Sequence, residues 1–131
     1  MHKIKSLTVA FIVLLFAWIL VDCAPKPTQP ILVDAFFSGQ AFLDANGNGQ
    51  LDSADTPIEN ATLIVTLKGG TEVGGNTDKT GNAFITVPGG VDYPVTLRME
   101  APKGSGLKLI GPASITFPST TGEQSKFLFS K

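Results

Sequence analysis

Apolar and polar residues alternate with a period of two along most of the chain beyond residue 31. Val91, Tyr93, Val95, Leu97 and Met99 share one face, while Asp92, Thr96, Arg98 and Glu100 point the other way. Leu63, Val65 and Leu67 alternate with Thr62 and Thr66. Ala83, Ile85 and Val87 make a third short strand, Ile115 and Phe117 a fourth, and Phe127 and Phe129 a last one. Residues 36–43 open the series, with Gly39 a predicted bulge. Phe36 and Phe37 are consecutive, so one of them faces outward. Glycine-rich turns are expected at Lys68-Gly69-Gly70, Gly74-Gly75-Asn76, Pro88-Gly89-Gly90 and Lys103-Gly104-Ser105-Gly106. No helical period of useful length and no internal repeat interrupts this rhythm. About seven short strands with a turn every 8–12 residues or so predict an all-β chain folded as a two-sheet β-sandwich.

The first thirty residues follow a different pattern. Lys3 and Lys5 precede an uncharged run from residue 7 to residue 21, with Trp18 near its end. A run of that length suits the apolar core of a signal peptide better than a membrane-spanning helix, which needs about 20 residues. Leu20-Val21-Asp22-Cys23 follows and resembles a bacterial lipobox, with Asp22 where that motif has a small residue. Residues 1–22 are therefore expected to be a lipoprotein-type signal peptide, and Cys23 the site of lipidation. An uncleaved signal anchor and a secreted protein with a spare thiol are the competing readings. All three place the remainder outside the cytoplasm.

Residues 23–30 carry Pro25, Pro27 and Pro30. Proline stiffens such a segment into an extended tether. The domain then occupies residues 31–131, and roughly 100 residues is enough to bury one core. Cys23 is the single cysteine, so no internal disulfide is possible, and the domain needs another staple or a sound core. The whole chain holds 10 basic and 11 acidic residues. Loss of residues 1–22 removes Lys3, Lys5 and Asp22 and leaves a net charge of about −2, with no basic stripe; nucleic acid is not an expected partner.

One segment carries candidate chemistry. Between Asp44 and Asp55, oxygen-bearing side chains fall at loop positions 1, 3, 5, 9 and 12 of the calcium-loop spacing, with Gly49 at the sharp turn of position 6. Asp44, Asn46 and Asn48 would offer side-chain oxygens, Gln50 its main-chain carbonyl, Asp52 a direct or water-mediated contact, and Asp55 closure. Leu51 is expected to point into the core and tie the loop down. Three charged ligands, and an aspartate where the spacing favours glutamate, predict a weak structural Ca2+ site, with Kd on the order of 10⁻⁴–10⁻³ M. The same Asn-Gly chemistry also makes ordinary turns without metal. Asp78 is a candidate for a further ion or, alternatively, a cap on its own turn. Glu59 lies nearby in sequence and is expected to be exposed.

Four segments taken in order resemble the SdrD B-like and Cna B-type domains, small prealbumin-like (Ig-like) β-sandwiches of bacterial surface proteins. They are Gly39-Gln40-Ala41-Phe42-Leu43-Asp44; the acidic loop with Pro57-Ile58-Glu59-Asn60-Ala61 and the strand after it; Thr77-Asp78-Lys79-Thr80-Gly81-Asn82-Ala83; and Tyr93-Pro94-Val95 with Ala101-Pro102-Lys103-Gly104. Ala83 stands where the family has an aromatic. The first strand, residues 32–43, lacks the lysine that Cna B-type domains use for an internal isopeptide bond, so no such crosslink is expected. The resemblance implies a calcium-bound, noncatalytic surface module for binding, adhesion or spacing.

The residue inventory points the same way. The single histidine is His2, inside the signal segment. That removes histidine triads and most zinc sites from the mature chain, and no enzyme activity is expected. The single tryptophan, Trp18, is also in that segment, and the remaining aromatics are mostly Phe. Two other roles stay open: an accessory protein that binds carbohydrate or another polymer, which an exposed aromatic row would favour, and an envelope-complex subunit that docks through a free strand edge. The expected partners are thus the membrane, through lipid on Cys23, and a protein or polysaccharide ligand of unknown identity. The expected location is extracytoplasmic and membrane-anchored.

Overall fold

In the computed structural model, residues 32–119 and 124–131 are described. The signal segment, Cys23 and the proline tether lie outside the described residues. Nine strands form among those described: β1 (Ala35–Leu43), β2 (Thr56–Pro57), β3 (Thr62–Thr66), β4 (Glu72–Asn76), β5 (Asn82–Val87), β6 (Val95–Glu100), β7 (Lys108–Ile110), β8 (Ile115–Phe117) and β9 (Ser125–Ser130). They build two sheets. One runs β4-β3-β6-β8; the other runs β2-β1-β9-β7, with β5 also paired to β1.

Strand β1 organises its sheet. Gly39 and Gln40 pair with Ala83 and Asn82 of β5 and also with Ser125 and Lys126 of β9, so β5 and β9 take opposite edges of β1. The β1–β9 pair is parallel; every other pair among the described residues is antiparallel. The inward faces meet in one core that includes Phe37, Ala41, Leu63, Val65, Ile85, Leu97, Met99, Phe127 and Phe129. Alternation predicts this face correctly: Val95, Leu97 and Met99 are buried, while Thr96 and Arg98 are half-buried and Glu100 is exposed. Of the two consecutive phenylalanines, Phe37 enters the core and Phe36 faces out.

Several expectations need correction. Gly39 is not a bulge, because its pairing with Ala83 is in regular register. A Cβ at Gly39 would lie 2.9 Å from Leu63 Cδ1 and 3.2 Å from Met99 Cε. The glycine thus makes room for side chains from the opposite sheet, and small, buried Ala83 beside it fits the same tight layer. Gly74-Gly75-Asn76 is not a turn: Gly75 pairs with Leu63 and Gly74 with Ile64 inside β4. The long alternating run from Val91 is shorter as a strand and starts at Val95. Pro94 has no N–H to give a ladder, so pairing begins after it. Val91 and Tyr93 still pack against the core.

The strand directions place the loops at two ends. The start of β1, the end of β5 and the turn between β3 and β4 share one end. The acidic loop, the turn between β4 and β5 and the segment entering β3 share the other. A strand of the nine residues of β1 rises about 3.4 Å per residue, so the two ends lie about 30 Å apart.

Candidate metal centre

The acidic loop begins where β1 ends. The Asp44 N–H donates to the Phe129 carbonyl at 2.8 Å, which fixes the loop's root to β9. From there the Asp44 carboxylate folds the chain around itself. Its Oδ1 accepts the N–H groups of Gly47 (2.7 Å) and Asn48 (3.2 Å), and its Oδ2 accepts the N–H of Gly49 (2.8 Å). Three successive amides converging on one carboxylate need a tight curl, and Gly49 meets it with φ of 70°.

The remaining side chains close the ring. Asn46 Oδ1 accepts from the Asn48 N–H (3.1 Å), and Asn48 Oδ1 from the Gln50 N–H (2.7 Å). Asp52 Oδ2 accepts from the side-chain amides of Asn46 (3.0 Å) and Asn48 (2.7 Å). Asp55 bridges the two halves: Oδ1 accepts from the Ala45 N–H (3.2 Å) and Oδ2 from the Asp52 N–H (2.8 Å). Asp44, Asn46, Asn48, Asp52 and Asp55 are therefore brought together, and Gln50 joins through its backbone. Asp44 and Asp55, at the loop's two roots, are half-buried, whereas the residues between them are exposed. The Asp52 carboxyl is held below its ordinary 3.8, first by the Ala54 N–H and then by the amides of Asn46 and Asn48.

Among the described residues no three carboxylate, histidine or cysteine side chains converge closely enough to hold a metal by themselves. A cation here would rely on the mixed set. Its chemistry is that of a hard-cation site: three carboxylates, two side-chain amides and a main-chain carbonyl, all oxygen donors. Rotation of the Asn46 and Asn48 amides exchanges nitrogen for oxygen at the Asp52 carboxylate, and N/O placement in such groups follows the local hydrogen bonds. The donor set therefore fits Ca2+.

Leu51 departs from expectation. It is 40% exposed and does not tie the loop to the core. Ile58 does so, buried at the loop's exit, with its N–H donating to the Ala41 carbonyl at 2.9 Å. Glu59 is exposed, as expected. Asp78 lies in the neighbouring turn and caps it: Oδ1 accepts the Thr80 hydroxyl (2.6 Å), the Thr80 N–H (2.8 Å) and the Asn82 N–H (3.1 Å). These donors, the Thr80 hydroxyl foremost, hold its carboxyl below the ordinary 3.8.

The sequence places Thr77 at the head of the Asp78 turn but gives it no role of its own. It is buried, its hydroxyl donates to the Ile58 carbonyl at 2.6 Å, and the same oxygen accepts the Ala61 N–H at 2.9 Å. Its backbone adds two bonds, N–H to the Ala61 carbonyl (2.7 Å) and carbonyl from the Asn60 N–H (2.9 Å). Thr77 thus clamps the chain leaving the acidic loop onto the β4–β5 turn. Gly81 completes the dock, its carbonyl accepting the Ala41 N–H at 2.9 Å. Its φ is 77°, and a Cβ there would fall 2.6 Å from the Ala41 carbonyl oxygen. The signal for Thr77 was a lone threonine directly before an Asp-x-x-Gly turn.

The two facing sheets define an all-β, Ig-like β-sandwich. No protein-family model matches the chain, and no curated protein matches it. Among solved structures it is similar to the major plantain pollen allergen Pla l 1, at 12% identity and a TM-score of 0.52, over 75% of this chain and 90% of that one. That likeness is one of fold alone. It also matches the TIE protein of Bacillus anthracis at 25% identity and a TM-score of 0.49, over 76% of this chain. The chain spans 18% of the length of that protein.

Proposed function

We propose that this chain is a noncatalytic, calcium-stabilised surface module of the SdrD B-like or Cna B-type, held outside the cytoplasm on a membrane through lipid on Cys23. The observation that carries the proposal is the acidic loop. Five oxygen-bearing side chains from Asp44 to Asp55 interlock in the order that the calcium spacing requires, on a disulfide-free domain. Asp44, Asn46, Asn48, Gln50, Asp52 and Asp55 would hold the ion, and its charge would offset the repulsion among three carboxylates. The role is that of a staple. The loop ties the end of β1 to the chain entering β3, so an ion there would join the two sheets at one end.

Two measurements test this reading. Equilibrium dialysis against Ca2+ should show one weak site that Asp44→Ala removes. Cys23→Ser should move the chain from the membrane fraction to the soluble one. A chain that binds no Ca2+ contradicts the staple, and an unmoved Cys23→Ser contradicts the lipid anchor.

A second reading, binding of carbohydrate or another polymer, draws on one observation. Phe36 and Phe84 are exposed and stacked, with ring centroids 5.8 Å apart and planes at 23°. Beside them, the amides of Gln40 and Gln124 both donate to Asn82 Oδ1.

A further inference from the structure

Five large apolar side chains are exposed among the described residues: Leu32 (71%), Val33 (69%), Phe36 (57%), Phe84 (66%) and Leu51 (40%). Leu51 belongs to the acidic loop. Leu32 and Val33 lie on the approach to β1 at the opposite end of the sandwich, Phe36 near the start of β1, and Phe84 on β5 opposite Ser38. Their backbone is held in place. The Asp34 carboxylate accepts the Gly89 N–H at 3.0 Å, and Leu32 and Val33 lie against Gly89 and Gly90 of the turn after β5. Phe36 and Phe84 then stack across β1 and β5, where their strand partners are the uncharged Thr86 and Ser38.

This is also the end at which the chain arrives from Cys23. Eight residues lie between Cys23 and Leu32, and the stretch from one to the other spans at most about 30 Å at full extension. A lipid on Cys23 would keep this end within a tether's length of the bilayer. The acidic loop would sit about another 30 Å away along β1.

We propose that Leu32, Val33, Phe36 and Phe84 form a membrane-resting surface, seated in the interface of the bilayer that holds the N-terminal anchor. The proposal rests on the anchor reading of Cys23. Its partner is a lipid surface recognised by apolar insertion. The patch is built of Leu, Val and Phe, flanked by Ser38, Thr86 and Asp34, so zwitterionic lipid suffices and anionic headgroups are not required. Seated this way, the domain keeps its acidic loop at the end of β1 away from the anchored end.

The test uses the mature lipidated chain, which has lost its single tryptophan, Trp18, with the signal segment. Phe36→Trp, Phe84→Trp or Leu51→Trp is then introduced singly, and each protein is reconstituted into phosphatidylcholine vesicles with brominated acyl chains. Flotation is measured on the same samples. The expected result is flotation of all three, with emission from Phe36→Trp and Phe84→Trp quenched at least twofold more than from Leu51→Trp. Flotation with equal quenching at all three positions overturns the resting surface and leaves the anchor standing. Failure to float overturns the anchor reading and the proposal with it. Selective protection of Phe84→Trp from aqueous acrylamide by a neutral polysaccharide, without bromolipid quenching, overturns the proposal in favour of a sugar site.

Discussion

The hydroxyl of Thr77 donates to the carbonyl of Ile58 at 2.6 Å and joins the turn after β4 to the exit of the acidic loop. The same oxygen accepts the Ala61 N–H, so one buried side chain satisfies two backbone groups nineteen and sixteen residues away. This is the tightest link between the loop and the sandwich. Thr77→Val keeps the shape and removes both bonds, leaving the Ile58 carbonyl and the Ala61 N–H without that partner. The loss should be about 1–3 kcal/mol in urea unfolding. Thr77→Ser should recover most of it. A valine variant as stable as the parent would mean that the clamp contributes little.

Gly81→Ala should also destabilise, by about 1–3 kcal/mol. The added methyl meets the Ala41 carbonyl oxygen, a backbone atom that cannot rotate away, and the residue sits at φ of 77°. Gly104→Ala is a useful comparison. It has a similar φ of 78° but open space around it, so the difference between the two variants isolates the clash. Equal melting temperatures for the two would remove the steric argument.

Much of the fold was legible because the core strands alternate cleanly. β1, β5 and β6 each bury every second residue over at least part of their length, whereas β3 buries Leu63, Ile64 and Val65 in a row; period two is visible wherever one sheet face is wet. β4 was not legible. Its Gly74 and Gly75 carry no side chain to alternate, and glycine pairs read as turns; β3 imposes the strand by pairing with it. β2 and β7 have two and three residues, too few to show a period. In the site, the ligand spacing was legible, but the direction of Leu51 was not. Position 8 faces inward when helices flank such a loop, and here strands flank it. The apolar tie therefore falls to Ile58, beyond the loop's last ligand. The role of Thr77 was not legible, although its turn was: only its two partners, distant in sequence, show that the side chain is a clamp.

Acid should weaken the domain through its hydrogen-bonded carboxylates. The folded chain holds Asp52 and Asp78 below their ordinary 3.8, and Glu72 below 4.5, chiefly through its hydrogen bond to Arg98. Near those values the unfolded chain binds more protons than the folded one, so stability rises with pH there. The contribution is fully present above about pH 5 and is lost as pH falls through 4.5 and 3.8 toward the lower folded values. Melting temperature should therefore fall between pH 5 and pH 2. Asp78→Asn should be less stable at pH 7 and should show a shallower decline. A variant with an unchanged slope would place the acid sensitivity elsewhere.

The acidic loop closes on itself through hydrogen bonds that involve Asp44, Asn46, Asn48, Asp52 and Asp55, and in the proposed role those oxygens hold a calcium ion that staples the end of β1 to the chain entering β3. Thermal melting with millimolar Ca2+ against chelator tests this most directly. At about ten times Kd the ion should add roughly 1.4 kcal/mol, and a domain of this size should gain about 5–10 °C. Asp44→Ala should abolish the gain. Superimposable melting curves with Ca2+ and with chelator would contradict the account, leaving the loop a set of hydrogen-bonded turns.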